Sequence, residues 1–579
     1  MKVIVGDCEV FKHYFLFVAT DIATGETNVI ETRDDLLDFY NKNVDSIWVF
    51  YNAEYDRHIL KAKLLGTYDT YTVSQEIIYY DKKPFQIFKR KDLEAYPMIC
   101  YDAKTTPHGL KKLEAFLGED IRETTVPFDL QRPLTEQERA EVIFYCKHDV
   151  EQTCKVLKQI KPAFTSHLAV CREFNLPLVD NLHKNMPKLA ETILMGNGRG
   201  RAKFDDEFDV KIPSCIQLTT YKFVQKWFEN MLAKGRNGEN VYDQRLECDV
   251  AGVPHVFAWG GVHGALPRYK CTGNIIAADC QSFYPSMIIA FNYYSRNWQS
   301  PQQYKDMYDT RVKLKAAKDP RQIPYKLALN SSYGLLKDKL SRSYDPRMAN
   351  SVCITGQLLL LMLMERIEAA NCADLIQSNS DGVYYNVHDE DKFRAVYKQW
   401  EIDTGMKMEE DHYHTIVQKD VNNYILIGDN NVVKTKGILL KKRTPIDNDT
   451  PIIQKALQEY FVNGTDPRTT IEASNNLIDF QIIKSRPSSF DNMELNGVQY
   501  DLKYYRLFAA RGAGYRSAVW SKGDKYAKVS GTPESCTLDN GYIVDAPCPQ
   551  WLDKEWYILK ATELIHNQEN GFAIGTLLG

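Results

Sequence analysis

Two acids, Asp7 and Glu9, stand one residue apart near the end of the β-rich run KVIVGDCEVF. Strand alternation puts both on one face, where they can share a cation. A second apolar strand, in SIWVFYNAEYDRHIL, runs into Asn52, Tyr55 and Asp56. Tyr145 and Asp149 lie four apart in the helical stretch EQERAEVIFYCKHDVEQTCKVL, so both point to one side. Each piece alone is ordinary strand-end or helix-surface chemistry. In order they read D-x-E, N-x-x-Y-D and Y-x-x-x-D.

A second group follows. TGNIIAADCQSFYPSMIIAF predicts a buried strand over 274–278 that ends at Asp279 and turns into a helix starting near Ser282. In YKLALNSSYGLLK, residues Lys326, Asn330, Tyr333 and Lys337 fall on one polar face of a helix. An ammonium there can meet phosphate, and an amide and a phenol can reach a base pair. SNSDGVYY, 378–385, predicts a tight turn between two apolar strands with Asp381 at its tip.

The three N-terminal motifs resemble those of the DEDD exonucleases, specifically the proofreading domain of family B DNA polymerases. The later three resemble motifs A, B and C of the same polymerases. The resemblance implies an RNase H-like domain in which Asp7, Glu9, Asp56 and Asp149 hold two divalent ions and Tyr145 positions the attacking water. In-line hydrolysis must stabilise both the incoming hydroxide and the departing oxyanion, and two ions about 4 Å apart do both. Hard oxygen ligands suit Mg²⁺ or Mn²⁺. In the polymerase half the resemblance implies that Asp279 and Asp381 hold two further ions. Tyr284 would lie beneath the sugar and exclude a 2′-hydroxyl, with Ser282 beside it on the nucleotide. Lys326 and Arg311 would neutralise the leaving pyrophosphate, and Asn330 and Tyr333 would line the nascent base pair.

The chain departs from the family's patterns in places. Asn379 stands where motif C usually has its first acid, and Gly382 stands where it usually has Ser. Asn keeps an oxygen and the size of Asp, so the expectation is a tuned site that still works. Gly109 precedes Leu110 where the family often has Ser or Thr. FAWGGVHGALPRY resembles the segment that guides a primer end between the two sites; Gly260 and Gly261 match, while Ala258 takes the tyrosine position. Lys419 and Tyr424 loosely resemble a K-x-Y motif that holds the primer strand; Asn52 and Tyr55 are expected on DNA as well.

The totals frame these motifs. At 579 residues the chain is too long for one core, and about one domain per 150 residues gives three or four. The fold class expected is multidomain α/β: an RNase H-like exonuclease domain at 1–175, a connecting helical region at 176–250, and then a right-hand polymerase. Its palm takes 251–300 and 341–415, short fingers take 301–340, and palm edge and thumb take 416–579. Only 47 residues separate Asp279 from Lys326, which leaves no room for the large insertion of protein-primed phage enzymes. Extension of an ordinary nucleic-acid primer, without built-in strand displacement, is expected.

A net charge of −4 lacks the basic surplus common in nucleic-acid binders, but its distribution is uneven. From Arg311 to Arg342 nine basic residues face two acidic ones, and Lys434, Lys436, Lys441, Lys442 and Arg443 form a second cluster. Both suit a phosphate track. Thirteen cysteines lie scattered without a C-x-x-C pair, as in a reducing cytosol. The opening residues show no apolar signal region, and LLLLMLM, 358–364, reads as a core helix. The expectation is a monomeric, phage-like polymerase in a bacterial cytoplasm, acting on primer-template DNA and deoxynucleoside triphosphates, with replication accessory proteins and no membrane. The rivals are an exonuclease with a disabled polymerase site and a non-catalytic DNA-binding replication factor.

Overall fold

The computed structural model describes residues 1–196, 202–429, 432–437 and 444–569. The chain is mixed α/β with several sheets and divides into two compact units.

The first unit comprises Met1–Lys184, Arg443–Ile453 and Ile471–Ile558. Its five-stranded sheet uses β1 (Val3–Phe11), β2 (Tyr14–Asp21), β3 (Thr27–Ile30), β4 (Ile47–Phe50) and β5 (Ile99–Asp102), in the order β3-β2-β1-β4-β5. β1 pairs antiparallel with β2 and parallel with β4, so it lies in the middle with its apolar side chains covered. Three helices matter for the site: Ala53–Leu65, Leu110–Leu117 and Glu136–Gln159. The last starts at a capping box that P-L-T-E-Q-E encodes. Thr135 Oγ1 accepts from the Glu138 N–H at 3.2 Å, and Glu138 returns the bond to the Thr135 N–H at 2.8 Å.

The C-terminal part of this unit fixes the end of the Leu110–Leu117 helix. Arg506, wholly buried, donates from Nη2 to the carbonyls of Ala115 at 3.1 Å and Glu119 at 2.7 Å. Helix ends leave carbonyls without partners, and a guanidinium supplies several donors in one plane. The stretch read from sequence as a single C-terminal region, 416–579, is thus divided: β-strands up to Lys436 belong to the second unit, while Ile471–Ile558 belongs to the first.

The second unit comprises Asn185–Lys442, Gln454–Thr470 and Leu559–Gly579. It is built on a nine-stranded sheet of β6 (Arg245–Val250), β7 (Val253–Ala258), β8 (Gly261–Ala265), β9 (Tyr269–Cys280), β10 (Ala373–Asn379), β11 (Gly382–Val387), β12 (Met408–Asp420), β13 (Asn423–Ile427) and β14 (Val433–Lys436). The order is β14-β13-β12-β9-β11-β10-β8-β7-β6. β9 is longer than the strand expected at 274–278 because it pairs on both sides, with β12 and β11.

The Pro346–Ala370 helix is apolar and long enough to cross a membrane, yet its apolar window is entirely buried within the protein. Polar groups on it are satisfied inside: the Glu365 carboxylate accepts from the backbone N–H groups of Thr219 and Tyr221, each at 2.8 Å. That is the behaviour of a core helix.

Candidate active sites

In the first unit, β1 turns Asp7 and Glu9 toward the Glu136–Gln159 helix, where Cys146 Sγ lies 3.6 Å from Asp7 Oδ2. Asp56, in the first turn of Ala53–Leu65, accepts the Cys8 N–H at 3.0 Å and is thereby held against the strand. The helix starts where Asn52 adopts a left-handed conformation, φ 77°, with its N–H on Asp102 Oδ1 at 3.0 Å. Tyr55 spends its hydroxyl on Ser74 Oγ at 2.9 Å. Asn52 and Tyr55 therefore anchor the Asp56 turn, and both also line a surface cleft with Lys82 and Lys83.

The crowding has an electrostatic signature. Burial, then the nearby Asp149 carboxylate, pushes Asp7 up to about 7. Burial raises Asp149 to about 6 against the pull of Lys111. Glu9 and Asp56 are raised well above the carboxylate range, first by burial and then by Asp7. Carboxylates in these surroundings resist ionisation until cations arrive, which is what a divalent metal supplies. The donors are hard oxygens and fit Mg²⁺ or Mn²⁺. Cys146 shares this space: burial raises its thiol well above the ordinary range, and its Sγ donates to Asp7.

Sequence reasoning missed one member of this site. Lys111, on the Leu110–Leu117 helix, forms ion pairs with Asp149 and with Glu114, the latter at 3.1 Å, and its ammonium lies 4.5 Å from the centre of the Tyr145 ring. It holds the helix face of the site in place, including the phenol proposed to act there. The i, i+3 spacing of Lys111 and Glu114 was present in GLKKLEAF, but two adjacent lysines at a helix start do not reveal which one turns inward.

In the second unit, antiparallel register assembles the acids. Asp279 on β9 stands opposite Gly382 on β11 and opposite Glu409 on β12. The β10–β11 hairpin closes through the pair Asn379 and Gly382, with Ser380 left-handed at φ 51° and Asp381 beside it. The Cys280 N–H donates to the Asp381 carbonyl at 2.8 Å, which ties the hairpin tip to the end of β9. Asp381 is raised by burial and by Asp279; Asp279 is raised by burial, with Asp411 and Glu409 adding to the effect and Lys434 opposing it.

Gly382 has a definite steric role. A Cβ there would lie 2.0 Å from Asp279 Oδ1, so the carboxylate occupies the space the missing side chain leaves. This accounts for glycine at the position where the resembled family has Ser. Replacing Gly382 with Ser is expected to turn the Asp279 side chain away from its partner, lowering primer extension by about 10- to 100-fold and raising the Mg²⁺ concentration for half-maximal rate. The thermal midpoint should barely move, because only the end of a flexible side chain has to shift. Unchanged metal dependence would show that the contact is incidental.

Asn379 pairs across β8–β10 with His263, and its side chain bonds the imidazole, whose pKa burial lowers. Gly261, at φ 137°, brings the β7–β8 turn against Ser380: a Cβ on it would lie 3.2 Å from Ser380 Oγ. Gly260 faces open space.

Tyr284, in the Phe283–Ala290 helix, stacks on Tyr333 with ring centres 4.6 Å apart and planes 10° from parallel. Ser282 caps that helix in a left-handed conformation and accepts from Arg311, a buried guanidinium on Pro301–Ala316 whose Nε has no partner among the described residues. Lys326 and Asn330 are exposed on the Gln322–Lys337 helix, on the face expected, and Lys337 Nζ donates to the Trp259 carbonyl at 3.0 Å.

Three expected DNA contacts are placed differently. Tyr424 is 4% exposed, with its hydroxyl 2.9 Å from that of Tyr384, because β13 packs it inward; it is a core residue. Lys434 lies 3.5 Å from Asp279 Oδ2 and 3.4 Å from Asp411 Oδ2, so its charge is engaged by these carboxylates. Lys436 adds a second positive charge near Asp381. Lys419 is exposed. Lys441, Lys442 and Arg443 lie outside the described residues.

No family model and no curated protein matches this sequence. Among solved structures, the chain is similar to the family B DNA polymerase of the hyperthermophilic archaeon Pyrobaculum calidifontis. The TM-score is 0.42 and the identity 14%, over 98% of this chain and 78% of that one.

Proposed function

We propose that this chain is a template-directed DNA polymerase of family B with a 3′–5′ proofreading exonuclease, replicating a phage genome in a bacterial cytoplasm. The observation that carries this reading is the convergence of Asp279 and Asp381 through strand register at one hairpin, flanked by the stacked Tyr284 and Tyr333. The motif resemblance supports it, and so does a second set of acids in a separate compact unit, the half-buried Asp7 with the buried Glu9, Asp56 and Asp149.

In this reading the five-stranded sheet and its helices are the RNase H-like exonuclease, the nine-stranded sheet holds the palm, and Pro301–Ala316 with Gln322–Lys337 form short fingers. Asp279 and Asp381 would hold divalent ions, Mg²⁺ or Mn²⁺, at the polymerase site, and the four N-terminal acids would hold them at the exonuclease site, where such ions would supply charge to the attacking and leaving oxygens. Tyr284 supports the deoxyribose and leaves no room for a 2′-hydroxyl. Arg311 orients Ser282, and Lys326 reaches the triphosphate. Tyr145, steadied by the Lys111 ammonium, orients water at the exonuclease site.

A gel assay with a 5′-labelled primer on a longer template tests the reading. Lengthening with deoxynucleotides and shortening without them, both stopped by EDTA, is the expected outcome. Shortening under both conditions would make the chain a nuclease, and neither reaction would leave a binding factor. Replacing Lys326 with Ala is expected to raise the KM for deoxynucleotides by about 10- to 100-fold, the scale of one lost charge-assisted phosphate contact. An effect confined to kcat would remove Lys326 from nucleotide binding.

A further inference from the structure

The Ala53–Leu65 helix carries Asp56 on one face and turns another toward a cleft of about 570 Å³ in the first unit. That volume is in the range of small-ligand sites. Arg57, His58 and Lys61 line it from the helix, and His183 from the chain beyond residue 181.

The cleft gathers four basic side chains that the fold leaves without ion-pair partners among the described residues. Among the described residues no carboxylate forms an ion pair with Arg57, Lys61, His58 or His183. Of the two acids in the lining, Glu94 is engaged by Arg90 at 3.2 Å, which leaves Asp180 alone against four basic groups. Lys61 is only 5% exposed and is held by neutral partners, the carbonyls of Leu93 and Ala95, each at 2.5 Å. His183 Nδ1 is buried without a hydrogen-bond partner. Burial and then the Arg57 charge push Lys61 down to about 8 and His183 to about 4. A buried charge is normally matched by an opposite one, and no carboxylate pairs with Lys61 among the described residues.

The remaining wall is apolar and partly aromatic. Phe85, 72% exposed, and Tyr96 stand on it. A basic wall facing ring surfaces suits a compact dianion that carries a flat ring.

We propose that this cleft binds a nucleoside monophosphate group, its phosphate held by Arg57 and His183 and its base against Phe85 and Tyr96. The site uses a face of the helix different from that of Asp56 and does not depend on the polymerase reading. The same group could arrive as a free mononucleotide or as the 5′-phosphorylated end of a DNA strand.

Calorimetric titration of the full chain in EDTA separates these cases, since without metal the crowded carboxylates elsewhere repel a phosphate. The probes are dTMP, thymidine, inorganic phosphate and a 5′-phosphorylated oligothymidylate. dTMP is expected to saturate one site, with thymidine weaker by about tenfold or more. Arg57→Ala and His183→Gln should each weaken dTMP by about tenfold, and Arg57→Lys should retain most of the affinity. The two variants act on opposite parts of the lining, so one remains informative if the other fails to fold. Tighter binding of the phosphorylated strand than of dTMP would identify a strand end as the occupant; the reverse would identify the free nucleotide. Absence of saturation by every probe, or full affinity in folded Arg57→Ala, would overturn the proposal, and either result would leave the gel assay above unaffected.

Discussion

Replacing Asp279 with Asn is expected to lower primer extension to about a thousandth of the original rate or less, while shortening of the same primer continues. The argument begins with where the residue stands. Asp279 ends a strand paired on both sides, and its carboxylate fills the gap that Gly382 leaves beneath the Asp381 hairpin. No other described acid occupies that position: Glu409 is its neighbour on β12 but is committed to Lys315 and Gln281. Asn keeps the shape and removes the charge, so a divalent ion loses one of two shared ligands, and such sites lose orders of magnitude in rate. Lys434, now 3.5 Å from a neutral amide, would still repel a cation there. Folding should not suffer, because burial disfavours the Asp279 charge and the amide relieves it. Parallel gels with and without deoxynucleotides, together with a melting curve, check the outcome. Extension at an undiminished rate would remove Asp279 from the reaction.

Much of both sites was legible because their residues lie in short local patterns. Asp7 and Glu9 could be placed on one strand face, Tyr145 and Asp149 on one helix face, and Asp381 on a hairpin, since each inference needs only the period of a single element. One element boundary that mattered followed from local chemistry too, the helix starting near Ser282. What was not legible depends on partners distant in the chain. Gly382 looks like a turn glycine until register sets it opposite Asp279, 103 positions away. Lys111 meets Asp149 only after two helices pack. Tyr424 carried an aromatic motif letter but was buried by β13, and the return of 471–558 to the first unit leaves no trace in composition because it rests on contacts such as those of Arg506. Lys434 was read as part of a basic run, and pairing of β13 with β14 turned it to the acids.

The crowded N-terminal acids make the opposite prediction for stability from that of ordinary salt-bridged carboxylates. Asp7 is held at about 7 in the folded protein, above the ordinary 3.8, so the folded state keeps a proton that the unfolded chain has released. Stability contributed by this group is therefore present below pH 4 and is lost as the pH rises to about 7. Each pK unit corresponds to about 1.4 kcal/mol. Two consequences follow in the metal-free protein. Its thermal midpoint should fall between pH 5 and pH 8, and Mg²⁺ should raise it more at pH 8 than at pH 5, since only ionised carboxylates bind the ion well. Asp7→Asn should then do two things at once: reduce primer shortening by about a thousandfold or more, and raise the midpoint in EDTA at pH 8 by roughly a few degrees while cancelling much of the Mg²⁺ effect. Asp7 also lies beside Asp149, Glu9 and Asp56, so removing its charge eases the ionisation of all three. Loss of shortening with a lowered midpoint in EDTA would instead mark Asp7 as a structural acid, whose removal disturbs the strand and its contact with Cys146, and the metal site would have to be sought elsewhere.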